Sequence, residues 1–516
     1  MHMPRSIRVA LALAAAAVLT WIGSAPLSSP VAAQAMKKVI KFGVNRGAEN
    51  LDPVTQDANP DIWAFMQIYQ QLVRVNVKGD GYEPDLAERW TTSPDGRTWT
   101  FFLRKTAHYS YGDPVKASDV VWSLKRAHDT KGPWQWALEA VEDIQAKDDS
   151  TVVIHLKEAW APFLADISLF SNSVMPEKFF KSATPEDISN KPLGSGPFML
   201  VDWKKGEELT MKANPYYYEK GLPKTPELRI RYIPDDSSRI IALQSGEVDG
   251  IDYPPFSRIE ELRRDPKLEA QLNPSTQVSH LSLNIREAPL NNVKFRLALA
   301  HATDRAAISK AVCFGNCTPA TTFLPMTTVF FNKDSKGNAY DLDRAKQLMK
   351  ESGVGTPVTL KVMDRSNDAI HQSTAVALKE MWGKLGVNLE LEPIDRAAET
   401  QRYRANQFQI RITGWTNDIP DPSQLASYAL GFTESQSYHS GYQSKEMDAL
   451  IARGLRETNL EKRRQVYYEI QDLALKDSPL IILYYSPYTI AISKKMKGFV
   501  QMATGPWIFK DVSVEE

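Results

Sequence analysis

"PVTLKVMDRSNDAIHQSTAVALKEMWGKLGVNLELEPI", residues 357–394, decides the fold. "PVTLKVM" and "VNLELEPI" are strand-like runs. Between them, apolar residues recur at three- and four-residue steps and predict a helix over about residues 369–385. A second helical stretch leads into "FQIRITGW", residues 408–415, another strand. Strands alternating with helices argue for parallel pairing through crossover helices. The pattern also occurs upstream. "ELRIRYI" is followed by "PDDSSRIIALQSGEVDGID", in which Asp235 caps a helix running to about Gly246 and "EVDGID" forms the next strand. Two such units predict an α/β chain with two lobes.

The strand ends carry charge. Arg365 follows Met363, the expected end of one strand, and Asp418 follows Thr413, the expected end of another. In one parallel sheet both would lie beyond the carboxyl edge, where open α/β sheets bind ligands. A cation and an anion facing one crevice suit a zwitterion: Asp418 for an ammonium, Arg365 forked onto a carboxylate. The stretch "TGWTNDIPDP", residues 413–422, holds a second acid. Asp421, then Pro422 and Gln424 ahead of an apolar run, reads as a capping box, with Asp421 as the cap. Trp415 reads either as core or as a ligand platform.

The remainder is consistent with a large soluble chain. Its 516 residues exceed one ordinary core, and 62 basic against 62 acidic residues give no bias toward nucleic acid or a membrane surface. Hairpins recur in the N-terminal half, as in "RWTTSPDGRTWTFFLRK" with its Pro94–Gly96 turn. "IQAKDDSTVVIHLK" and "GPFMLVDWKKGEELTMKAN" have the same form. Residues 291–312 read as one amphipathic helix, and residues 444–478 as two, broken near Thr458 and Asn459. The N-terminus reads as an export signal: a basic start, an apolar run too short to span a bilayer comfortably, then "AQA". Cleavage near Ala35 and a periplasmic mature chain are expected. The two cysteines, Cys313 and Cys317 in "CFGNC", are expected to form a local disulfide in that compartment. A ring this small would stabilise by about 2 kcal/mol.

Catalytic patterns are absent. The eight His are scattered, and no H-E-x-x-H, G-x-S-x-G, Walker A or G-x-G-x-x-G motif occurs. "GSGPF" opens a hairpin rather than a helix, so it is no phosphate cradle. No enzyme, cofactor or metal site is expected; an exported hydrolase with a triad assembled from distant segments is the remote alternative.

The ordered segments "ENLDPVTQDANPDIWAFMQIYQQLVRV", "YEPDLAERWTTSPDGRTWTFFLRKTAHYSYGDPVKASDVVWSLKR", "LGSGPFML", "NPYYY", "SGEVDGID", "PLNNVKFRLALAHATDR" and "GWTNDIPDP" cover nearly all of the mature chain. In this order they resemble the family 5 extracytoplasmic solute-binding proteins of ABC importers, the dipeptide, oligopeptide and nickel group. The resemblance implies a two-lobed periplasmic-binding-protein fold with an added subdomain at about residues 80–200 of lobe I and a ligand cleft between the lobes. It places lobe I at residues 36–275, lobe II at 276–483 and the return to lobe I at 484–516. It implies a monomer that captures short peptides and docks on a membrane permease. Within it, "WTND" gives Asp418 the peptide's α-amino group. Counting back from Trp382 in "WGKLGV" gives Arg365 the carboxylate. "GAEN" makes Ala48 and Glu49 candidates for backbone contact. Other solutes of the family, such as opines, oligosaccharides and metal chelates, stay open. Trp415, Trp134 and Trp136 are the aromatic platforms a sugar would use.

Overall fold

The computed structural model describes residues 36–366, 368–432 and 438–516, so the expected leader lies outside the described residues. Two large sheets organise the chain. The first has seven strands in the order Leu268–Asn273, Tyr488–Ser493, Gly250–Asp252, Val39–Val44, Glu227–Tyr232, Glu208–Ala213 and Phe198–Lys204. Val39–Val44 lies parallel to both Glu227–Tyr232 and Gly250–Asp252, the two strands of the upstream unit. Their crossover helix, Asp236–Ser245, starts where the Asp235 carboxylate accepts the Ser238 N–H and stops at Gly246 in the left-handed region.

The second sheet has six strands: Thr318–Pro319, Leu480–Tyr485, Gln277–Leu283, Ile410–Thr416, Val358–Arg365 and Val387–Ile394. Val358–Arg365 pairs in parallel with both Val387–Ile394 and Ile410–Thr416, as the alternation predicts. A four-stranded antiparallel sheet, Ala87–Thr92, Thr98–Leu103, Thr151–Leu156 and Val141–Asp148, is built from the early hairpins. Each sheet buries its own apolar cluster. Phe42, Phe65 and Trp507 mark the first, Leu281, Phe295 and Trp382 the second, and Phe101, Leu124 and Ile154 the third.

The chain leaves the first sheet after Asn273 and enters the second at Gln277; it returns between Tyr485 and Tyr488. The strands on either side of these links are neighbours in both sheets, so the two links run side by side. Away from them the lobes touch. The Tyr428 hydroxyl donates to the Pro133 carbonyl at 2.7 Å, and the Ala161 N–H to the Leu455 carbonyl at 2.8 Å. Arg456 pairs with Glu158 at 2.6 Å, and Arg404 with Asp57 at 3.7 Å. The two-lobed structure is therefore closed.

One local expectation changes, and three hold. Residues 291–312 form two helices, Val293–Ala302 and Arg305–Cys313, because Asp304 caps the second through the Ala307 N–H. Residues 444–478 form Lys445–Arg456 and Leu460–Asp477, with Asn459 as the cap of the latter. Cys313 and Cys317 are bonded, tying the end of a helix to the loop that follows it. "GSGPF" does lead into a hairpin. Its glycines are needed for close approach: a Cβ at Gly194 would meet the Ile68 carbonyl oxygen.

Candidate functional site

Val362 and Ile410 are register partners, so the strands that carry Arg365 and precede Asp418 end at one edge. Both strands run further than their apolar pattern suggests. Arg365 is the last residue of its strand, and the other continues to Thr416.

The two charged residues have different surroundings. Arg365 is already held by its own chain. Its Nε and Nη2 donate to Glu399 Oε2 at 3.0 and 2.6 Å, and Nη1 donates to Asp368 at 3.3 Å. Arg411 Nε donates to Glu399 Oε1 at 3.0 Å, so one fully buried carboxylate serves two guanidinium groups. Burial works to raise the Glu399 pKa, but Arg411 and Arg365 outweigh it and hold the carboxyl below its ordinary value. Such a cluster stiffens the edge and leaves no open fork on Arg365.

Asp418 is half-buried and faces a cavity of about 280 Å³. Its N–H donates to Gln424 Oε1 at 2.8 Å, and its Oδ2 accepts from Gln424 Nε2 at 2.7 Å. The other walls come from the first lobe, among them Met66, Gln70, Arg74, Phe170 and Trp507. Three further acids line this cavity, and each has a cation. Glu83 and Asp85 lie 2.7 and 3.9 Å from Arg74, and Asp511 lies 3.0 Å from Lys510. Asp418 has none within ion-pair distance among the described residues. Burial pushes its carboxyl up to about 7; the Gln424 hydrogen bond opposes this, and the like charge of Asp57 adds to it. A carboxylate placed in a largely apolar cavity without a cation is costly to ionise, and a ligand ammonium would offset that cost.

The sequence misassigned two neighbours of Asp418. Asp421 is not the helix cap: Ser423–Leu430 has Pro422 at that position, with no side-chain cap bond. Asp421 Oδ1 does accept the Ser423 N–H, but its carboxylate is forked onto Arg463 at 2.6 and 2.8 Å in the interior. Gln424, expected to complete that capping box, instead clasps Asp418 with both amide atoms. Gln424 was therefore missed as a site residue, although its position in the first helical turn pointed to a local acid.

Trp415 is partly buried and stacks on Tyr428 at 5.2 Å, and Tyr428 meets Trp136 of the other lobe at 6.1 Å. Trp415 Nε1 is buried without a hydrogen-bond partner among the described residues. Trp134 is core, its N–H given to the Gln56 carbonyl. Ala48 and Glu49 do not line the Asp418 cavity. Ala48 packs on the first lobe's core and borders a separate crevice. The backbone N–H groups of Glu49 and Asn50 are turned onto Asp61, at 2.5 and 3.0 Å. The lobe I walls carry no local sequence signal, because they come from segments far apart in the chain.

Among the described residues no group of three or more His, Cys, Asp or Glu is placed to hold a metal ion. No helix among them is long and apolar enough to cross a membrane. The family model for bacterial extracellular solute-binding proteins, family 5 (middle), matches residues 81–437, more than half of the chain. The chain belongs to that family. This family 5 solute-binding protein is 29% identical over 477 residues to the heme-binding protein A of Haemophilus influenzae, covering 87% of each chain. It is 27% identical to the dipeptide-binding protein of Escherichia coli, covering 96% of this chain and 98% of that one. Among solved structures, it superposes on the ABC transporter-associated periplasmic binding protein DppA from Helicobacter pylori in complex with peptide STSA. That match has a TM-score of 0.83 and 25% identity, over 93% of this chain and 99% of the other. The two-lobed fold of the family 5 protein is that of its relatives, and solute binding is its family's role.

Proposed function

We propose that this protein is the periplasmic substrate-binding component of an ABC importer and that it captures short peptides between its lobes. It is exported with a cleaved leader, acts as a monomer and docks on a membrane permease. Asp418 holds the peptide's α-amino group, and Trp415 with Tyr428 walls the cleft beside it. One observation carries this reading: Asp418 is the acid on the cavity wall that lacks a cation of its own. Two of the three relatives' named ligands, a dipeptide and the peptide STSA, agree with it; heme, the ligand named for the third, does not. The peptide carboxylate is not assigned to Arg365, whose donors are taken by Glu399 and Asp368.

Mass spectrometry of small molecules released by denaturing the purified protein tests the proposal. Recovery of peptides with free amino termini is expected. A sugar, or a metal chelate without a free amine, would overturn it.

Binding should also depend on pH. An ammonium pairs only with ionised Asp418, whose carboxyl sits at about 7 in the empty site. Affinity therefore rises with pH toward about 7. Peptide amino groups lose their proton near 8, which sets the upper limit. Calorimetry at pH 5.5 should give a Kd roughly tenfold weaker than at pH 7.5. An Asp418→Asn variant should lack this slope. For the empty protein the sign is opposite. A carboxyl raised from its ordinary value of 3.8 keeps its proton in the folded state, so the contribution of Asp418 to stability falls as pH rises from about 4 to about 7.

A further inference from the structure

Asp166, in the short helix Phe163–Ile167 of the first lobe, is 2% exposed. Its Oδ2 accepts from Trp160 Nε1 at 2.7 Å, and its Oδ1 has no hydrogen-bond partner among the described residues. The cation that acts on it at longer range, Arg463, is already ion-paired with Asp421. Asp166 borders a cavity of about 40 Å³ between the lobes. Trp136 and Trp160 line it from its own side, and Ser423, Gln424 and Tyr428 line it from the other. Glu139 also lines it, and among the described residues its walls include no Lys, Arg or His. Ser423, which lines it, has a buried Oγ without a hydrogen-bond partner among the described residues.

We propose that this cavity is a second ammonium site, with Asp166 as its anion, and that the ligand is a short peptide whose first residue has a side chain ending in a primary amine. The proposal rests on the reading of Asp418 as the α-amino site. Two contacts join the cavities. Gln424 lines the smaller one while its amide holds Asp418. Ser168 and Phe170, just past Asp166, line the larger one. In this proposal one lysine-like residue sets its α-ammonium on Asp418 and its side-chain ammonium on Asp166.

The chemistry of the walls suits a cation. Three aromatic rings surround the space, and aromatic faces attract ammonium groups. Asp166 Oδ1 and Ser423 Oγ are acceptors lacking donors. A buried carboxylate without a cation is expensive to keep ionised, and an ammonium supplies the missing charge. Burial pushes the Asp166 carboxyl well above its ordinary range, which disfavours its charged form unless a cation is beside it. A water needs roughly 10–15 Å³, so this space takes an ammonium and its last methylene more readily than a guanidinium.

The test compares Lys-Ala with norleucine-Ala, which has the same length without the charge, by calorimetry on the intact protein. Wild type is expected to bind Lys-Ala at least tenfold more tightly. Asp166→Asn should reduce that preference to twofold or less while leaving norleucine-Ala within threefold of wild type. Equal affinities in wild type, or an undiminished preference in the variant, would overturn the second site. The wild-type comparison alone decides the matter should the variant fail to fold. Asp418→Asn separates the two readings. If it leaves norleucine-Ala binding unchanged, the α-amino assignment fails whatever Asp166 does. Failure of wild type to bind either peptide overturns both.

Discussion

Asp418→Ala is expected to weaken binding of a short peptide with a free amino terminus at least tenfold. In the loaded, closed protein the carboxylate and the ammonium would be a buried pair, and removing one partner of such a pair costs roughly 2–5 kcal/mol. Much of that is the cost of leaving the peptide ammonium in a cavity without its anion. The Gln424 side chain would not replace it, since its amide carries no charge and its oxygen already accepts from the backbone N–H of residue 418. A parallel stability measurement separates recognition from folding. At neutral pH the empty protein carries a carboxyl displaced to about 7, so removing it should not lower the thermal midpoint. Weaker binding with an undiminished midpoint is the signature of a ligand contact. An unchanged Kd would remove Asp418 from the site.

Asp421→Ala should behave in the opposite way and destabilise the second lobe by about 3–5 kcal/mol. That is the typical cost of breaking a buried ion pair and stranding one charge. Arg463 and Asp421 are each 7% exposed, and the guanidinium also donates to the Gly454 carbonyl and lies over the Tyr467 ring. Without Asp421 that cation has no anion within ion-pair distance among the described residues. A lost helix cap would cost only about 1 kcal/mol. Scanning calorimetry distinguishes the two, because a lobe of this size loses about 2–4 °C per kcal/mol. A fall of roughly 10 °C in the lowest transition marks the ion pair, and one near 3 °C marks a cap. Replacing both partners by apolar residues should recover much of the loss, since well-packed substitutes for a buried pair are often neutral or better.

These residues show what can be read from one dimension. Alternating strands and helices are local patterns, and they placed Arg365 and Asp418 at one edge of the parallel part of a mixed sheet. The strand ends were read short where polar Asp364 and Gly414 interrupt the apolar run. What failed was long-range. Asp421 sits in a motif that caps helices, and it does bond the Ser423 N–H, but its main partner lies 42 residues away. The Glu399 that engages Arg365 is 34 residues from it, inside a helix that reads as an ordinary polar stretch. No spacing rule announces either pairing. The same holds for Asp166: a single acid in the apolar run "APFLADISLF" signals a buried carboxylate, but not that the other lobe closes over it.

The α-amino assignment is tested most directly by calorimetry with one peptide in two forms, free and N-acetylated, on wild-type protein at pH 7.5. Acetylation removes the ammonium and leaves the backbone and side chains in place. Loss of at least tenfold in affinity on acetylation, with no further loss in Asp418→Asn, is the expected result. Equal affinity for the two forms would contradict an ammonium held by Asp418.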